Sequence, residues 1–493
     1  MIARLRRRFL AALAALPLLA PACTPVRNPA TGEVEYTSMT PEDEARIGAA
    51  EHPKILARFG GEAEDPHLRA YVREIGERMV AVSELAGQRF TFTLLDSPEV
   101  NAFALPGGYV YVTRGILALA DDEAELAGVI GHEIGHVTAR HTAQRYTRAQ
   151  IGQLGTLGAV VLGGVLGGET GARLGQQLGS LGAAAWVQGY SRQQEFEADE
   201  LGMRYLVRAG YDPAAMASLL DSLEAWDRWR ATVTGRSADS VPSWLASHPR
   251  TRDRVREAAR RAGGIGGERG RDRHLARIDG MVFGDSPRHG WAEGRTFVHP
   301  ELRFLFEVPD GFTIENRPDA VIAKGPGGAL LLFDMAPLHR GQSLAGHLRD
   351  DLLQGGATVG LERGVSRGGF GMVTAAFRAR VEGRPVDGRA AVLDAGDGRV
   401  YRFLFIAPEI GRHVAARFRE TIDSLRRLSR DEAARFRPLR IEVVRLRGGE
   451  SLPELVARMD VRQGPGELFR ALNDVEGPAD LVAGRPVKLV RRR

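Results

Sequence analysis

The stretch His132-Glu133-Ile134-Gly135-His136 constrains this chain more than any other. It lies in a run from Asp122 to about Arg145 whose apolar spacing predicts one continuous helix. Asp122 is a suitable N-cap, and Glu125 completes a capping box. Residues four apart share a helix face, so His132 and His136 can offer two imidazoles to one metal ion. Glu133 sits on an adjacent part of that face, where its carboxylate can take a proton from an attacking water. Two plain helix-surface histidines would show the same spacing, so the motif needs a companion. His141, five residues past His136, falls off the ligand face and reads as structural.

A catalytic zinc takes three protein ligands and keeps one position open. The companion is Ser191-Arg-Gln-Gln-Glu195-Phe-Glu197-Ala-Asp199. Glu195 and Asp199 are again four apart and share a face, whereas Glu197 points about 200° away from Glu195. Glu195 is therefore the third ligand. Asp199 is a carboxylate able to hold a ligand histidine by its other ring nitrogen. The bland alternative is a solvated acidic helix start.

At 493 residues the chain is too long for one core, and about two to four domains are expected. With 43% hydrophobic and 26% charged residues, wholesale disorder and a polytopic membrane protein are excluded. The net charge is +5, but the basic residues are interleaved with 62 acids, so nucleic acid is not expected as a partner. Of the 67 basic residues only Lys54, Lys324 and Lys488 are lysines, leaving 64 arginines, a bias that fits a GC-rich coding sequence. The only cysteine, Cys23, excludes an intrachain disulfide and thiolate metal sites. Before it stand a basic segment to Arg8, an apolar segment Phe9–Ala20, and Ala20-Pro21-Ala22, which read as a signal peptide over 1–22. Cys23 then reads as a lipidated N-terminus, the alternative being plain export with an incidental cysteine.

Residues 23–40 read as a lipid-proximal tether and 41–265 as the metal-binding domain. Within it, helices are expected over 41–59, 66–86, 191–208 and 213–229, and strands over 90–95, 100–104 and 109–113. The Gly-, Ala- and Leu-rich stretch 151–185 reads as a packed or membrane-facing helical hairpin, a transmembrane helix over Leu154 to Gly168 being the alternative. After Gly263-Gly-Ile-Gly-Gly267, residues 290–430 alternate strand-like and helical runs and form an α+β domain of unknown role. A last module spans 438–491.

Several segments together resemble the membrane-associated gluzincin peptidases, in their periplasmic BepA-like branch. They are Asn28-Pro-Ala-Thr-Gly32, Asn101-Ala-Phe-Ala-Leu-Pro-Gly-Gly-Tyr-Val-Tyr111, Glu125-Leu-Ala-Gly-Val-Ile-Gly-His-Glu-Ile-Gly-His136, Glu195 with Asp199, and Ser247-His248-Pro249. They cover roughly residues 28–260. The resemblance implies a mainly α, zincin-type metallopeptidase domain with a small β-sheet, holding one Zn²⁺ per chain through His132, His136 and Glu195. It implies that Asn101, Ala102, Phe103 and Ala104 form an edge strand that pairs with extended substrate. A hairpin without a functional edge is the alternative. It implies that His248 is a regulatory fourth ligand, against a histidine that only orients the next helix. It implies that Arg254 steadies the oxyanion, against a surface salt bridge.

Residues 438–491 resemble a small LysM-like βααβ module, through Gly449-Glu-Ser-Leu452, Leu472-Asn473 and Gly484-Arg-Pro-Val487. That resemblance implies binding of peptidoglycan, and a degenerate copy that only packs on the enzyme is the alternative. The tetratricopeptide repeats of BepA are absent from this sequence, which weakens any transfer of its partners.

The leading expectation is a zinc endopeptidase of the bacterial envelope, in the periplasm and anchored to the outer membrane as a lipoprotein. Its expected substrates are unfolded or misassembled envelope proteins. The alternative is an envelope assembly factor or chaperone with latent or vestigial protease activity.

Overall fold

The computed structural model describes residues 24–148, 189–234, 248, 252–353, 358–381, 384–407 and 412–493. The signal segment, Cys23 and the 151–185 stretch lie outside the described residues. Among the described residues, no helix is long and apolar enough to cross a membrane.

The chain begins with a hairpin, β1 (Thr24–Arg27) paired antiparallel to β2 (Val34–Thr37). The tether expected over 23–40 is therefore not loose. Asn28 Nδ2 donates to the carbonyl of Ala139, and Thr37 Oγ1 lies 3.0 Å from Thr147 Oγ1, so the hairpin is tied to the domain. Its short polar side chains, which suggested a linker, are what make those buried bonds.

Two helices follow, α1 (Pro41–Arg58) and α2 (Pro66–Ala81), each with a side-chain N-cap and Pro at its first position. Strands β3 (Thr91–Leu95), β4 (Ala102–Leu105) and β5 (Tyr109–Thr113) form a small sheet in the order β3-β5-β4, with β3 parallel and β4 antiparallel to β5. Among the described residues β4 is an edge strand, yet all four of its residues are buried. A short helix α3 (Arg114–Leu119) leads into α4 (Glu123–Thr138), which carries the two histidines.

The expected single helix to Arg145 is broken. Arg140 adopts φ 56°, and residues 141–148 are helical again in a new direction. Buried ion pairing of Arg140 with Glu44 (2.5 Å) and a bond to the Met39 carbonyl (2.7 Å) stabilise that left-handed residue. The capping box is also displaced. Asp122 accepts from the Glu125 N–H, but the Glu125 carboxylate accepts from the N–H of Asp121 rather than that of the cap.

Helix α5 (Arg192–Arg208), capped by Ser191 and Gln194, crosses α4 at very close range. A Cβ on Gly135 would stand 3.0 Å from the Ala198 carbonyl, and one on Gly202 would stand 3.0 Å from the His132 nitrogen. Glycine at these positions lets the two backbones touch, which brings the two ligand faces together. Helices α6 (Ala215–Thr234), α7 (Arg252–Ala262) and α8 (Arg271–Ile278) complete this part.

Next comes a sheet of four strands, β6 (Trp291–Glu293), β7 (Thr296–His299), β8 (Phe304–Glu307) and a short β16 (Arg426–Arg427). It packs on a seven-stranded antiparallel sheet built from β9 (Thr313–Asn316), β10 (Val321–Lys324), β11 (Leu330–Pro337), β12 (Thr358–Val365), β13 (Gly371–Val381), β14 (Arg384–Asp394) and β15 (Arg399–Ala407). Phe297, Phe304 and Phe306 meet Phe333 and Phe403 between the two sheets. Phe418 of α9 (Arg412–Ser424) closes the cluster against Phe405.

The last residues run strand, helix, helix, strand: β17 (Leu439–Arg445), α10 (Leu452–Val456), α11 (Pro465–Asn473) and β18 (Pro486–Arg492). They do not form a separate core. Leu468, Phe469 and Leu472 join the same apolar cluster as Leu219, Leu223 and Trp226 of α6. Backbone bonds of Gly280, Met281 and Phe283 with Ile441 and Leu439 extend the β17 edge.

Candidate metal centre

Four buried side chains converge where α4 meets α5: His132, His136, Glu195 and His248. His132 Nε2 lies 3.0 Å from His136 Nε2 and 3.2 Å from His248 Nδ1. Glu195 Oε1 lies 3.0 Å from His248 Nδ1 and 3.5 Å from His136 Nε2, and its Oε2 lies 3.6 Å from His132 Nε2. Donors at about 2.0–2.1 Å from a tetrahedral zinc stand roughly 3.3 Å from one another. The printed spacings straddle that edge length, so the donor set fits the ion.

The surrounding bonds are compatible with a cation held among these donors. Asp199 Oδ1 is 2.9 Å from His132 Nδ1, so that nitrogen carries the proton and donates. His136 Nδ1 is 2.8 Å from His141 Nδ1. His132 Nε2 is then a lone pair, 3.0 Å from His136 Nε2 and sealed from water. Burial holds the His136 imidazole well below its ordinary 6.5, which keeps it in the neutral form that a ligand needs. Burial opposes the charge of Glu195, but His248, His136 and His132 outweigh it and hold the carboxyl far below the usual range.

Glu133 is fully buried beside the cluster, with Oε1 3.5 Å from His248 Nε2. Arg254 is buried as well, so a surface salt bridge is excluded. Its Nε and Nη2 donate to Asp199 at 2.6 and 2.7 Å, and Nη1 is 2.8 Å from Glu195 Oε2 and donates to the His248 carbonyl. Its three nitrogens thus face Asp199, Glu195 and the His248 carbonyl, where the resemblance implied an oxyanion group. Burial works against the Asp199 charge, and the bonds from Arg254 and His132 overcome it.

Asn101, Ala102, Phe103 and Ala104 lie along the buried β4 edge. Three contributors were missed in the sequence. The Tyr190 ring stacks on His136 at 3.8 Å and 16°, and its hydroxyl lies 3.0 Å from Thr142 Oγ1. His141 was read as merely structural, and Glu197 was set aside as pointing away from the ligand face, yet the two meet at 3.2 Å.

Residues 66–262 match peptidase family M48. The chain carries an M48 peptidase domain. The chain is 32% identical over 203 residues to the beta-barrel assembly-enhancing protease of Escherichia coli strain K12, covering 40% of this chain and 39% of that one. It is 26% identical over 233 residues to the mitochondrial metalloendopeptidase OMA1 of Schizosaccharomyces pombe, covering 46% and 64%. The chain spans about half the length of the curated relatives it matches. The region beyond the M48 match, from residue 263 onward, holds the two β-sheets and the closing strand–helix–helix–strand segment.

Proposed function

We propose that this protein is a zinc-dependent endopeptidase whose metal is held by His132, His136 and Glu195. The observation that carries the reading is the pair of buried Nε2 atoms, 3.0 Å apart, with Glu195 and Glu133 beside them. Zinc, when bound, supplies a Lewis acid that polarises the scissile carbonyl and makes a water molecule more acidic. Glu133 takes the proton from the attacking water and delivers it to the leaving amine. Asp199 fixes the tautomer of His132, and Arg254 holds Asp199 and Glu195 in place.

His248 and β4 point to a closed state. The imidazole fills the place among the donors where water must enter, and the strand that would pair with extended substrate is buried. Opening would withdraw His248 and uncover Asn101–Ala104.

The enzyme's substrates are unfolded or misassembled envelope proteins of the periplasm, a reading supported by relatives named for enhancing beta-barrel assembly. Acylation of Cys23 would hold the enzyme at the outer membrane, and mass spectrometry of the mature N-terminus tests it. For 438–491, the shared core with α6 favours a packing role over peptidoglycan binding.

The deciding experiment is casein degradation by the purified protein with and without chelator. Activity lost in chelator and regained with zinc supports the enzyme. Client binding that survives Glu133→Gln, with no cleavage by the wild type, would instead make it an assembly factor.

A further inference from the structure

The two ligand histidines are oriented differently. His132 donates Nδ1–H straight to a carboxylate, Asp199. His136 Nδ1 instead faces another imidazole, His141, which is fully buried, at 2.8 Å. His141 Nε2 in turn faces Glu197 Oε2 at 3.2 Å, and the Glu197 side chain is 32% exposed.

We propose that His141 is the positioning residue of the second zinc ligand, with its own tautomer set by Glu197. This rests on the metal-centre reading above and extends it. An ionised carboxylate can only accept, so it fixes the proton of His141 on Nε2. His141 Nδ1 is then a lone pair and must accept from His136 Nδ1–H. That leaves His136 Nε2 as a lone pair aimed at the metal. Without the acceptor, His136 could carry its proton on Nε2 and would repel the ion.

The backbone explains why the relay passes through a histidine. Glu195, Glu197 and Asp199 lie on one helix, and residue 197 faces away from the ligand side. Its carboxylate therefore cannot reach His136 directly. In a continuous α4, His141 would lie about 140° around from His136. The left-handed Arg140, held by Glu44 and the Met39 carbonyl, redirects the chain and brings His141 back to His136. One helix thus supplies a ligand at 195 and carboxylates at 197 and 199 that set the tautomers of both histidines, one of them through His141.

The test is zinc affinity of the full chain, by competition with a chromogenic chelator, alongside the melting temperature of the metal-free protein. His141→Phe keeps a ring and removes the acceptor, and it should weaken zinc binding about 10–100-fold. His141→Asn places an acceptor oxygen near the Nδ1 position and should recover most of the loss. Glu197→Leu should weaken binding in the same direction. A His141→Phe protein that binds zinc like the wild type overturns the assignment. So does an Asn variant as weak as Phe, because loss of packing alone would then explain both. Unchanged affinity in Glu197→Leu overturns the tautomer relay. A wild-type protein that binds no zinc overturns the metal centre itself, and this assignment with it.

Discussion

The His248 imidazole stands between the metal donors and Glu133, with Nδ1 3.0 Å from Glu195 Oε1 and Nε2 3.5 Å from Glu133 Oε1. A fourth protein donor at a tetrahedral ion leaves no place for water. Activity then scales with the fraction of molecules in which His248 has withdrawn, and a closed state favoured by about 1.4 kcal/mol costs about tenfold. His248→Ala should therefore raise basal casein cleavage and self-cleavage by at least that order, with zinc content unchanged. A fall in kcat at constant substrate binding would make His248 an oxyanion group and end the latency idea.

Glu133→Gln should keep the metal and lose cleavage. The carboxylate is not among the donors, and its amide replacement has nearly the same shape. Removal of a general base costs about 10²–10⁴-fold in rate. Zinc content by atomic emission and casein turnover, measured on the same sample, check the separation of roles. Loss of zinc in this variant would show that Glu133 supports the ligand shell.

The site was legible where chemistry and helical spacing coincide. His132 with His136, and Glu195 with Asp199, follow from a four-residue period that the helices keep, and Glu133 from its place beside His132. Arg254 was visible as a candidate, but what its guanidinium touches depends on how α7 meets α5, which spacing does not show. His141 was discarded because the period was carried through Arg140, where the backbone leaves the helix. Glu197 was discarded because only direct access to the metal was considered. The hairpin within the tether was not legible, because four residues to a strand give too little alternation to register.

His274 makes the stability of the molecule pH-dependent. It is fully buried, donating Nε2–H to the Ala120 carbonyl (3.0 Å) and accepting at Nδ1 from the Tyr71 hydroxyl (3.0 Å). Burial, with Lys488 adding to it, pushes its pKa down from 6.5 to about 3. Between those values the unfolded chain binds the proton and the folded one does not. The contribution is fully present above 6.5 and is lost as pH falls toward 3, at up to about 1.4 kcal/mol per pH unit. His274→Gln cannot take up that proton. Its urea-unfolding free energy should therefore fall less steeply than that of the wild type between neutral pH and about pH 5. Parallel slopes would show that His274 titrates normally.

Lys488 is one of three lysines beside 64 arginines, and its position explains why arginine does not replace it. The ammonium is fully buried and donates to the carbonyls of Ala118, Leu119 and Ala120 at 3.0, 3.0 and 2.8 Å, with Asp121 Oδ1 at 3.3 Å. Those carbonyls end α3, one turn before the metal-binding helix begins. A compact point charge with three donors suits converging carbonyls, and a planar guanidinium fork does not. Lys488→Met keeps the apolar stem but takes the ammonium from three carbonyls and from Asp121, whose other ion-pair partner is Arg271 at 3.4 Å. Breaking a buried pair from one side costs about 3–5 kcal/mol. Urea unfolding should show a loss of that size, Lys488→Arg should not restore it, and Asp121→Asn in the Lys488→Met background should recover part of it. Wild-type stability in Lys488→Met would mean that the closing segment is held by its apolar contacts with α6 alone.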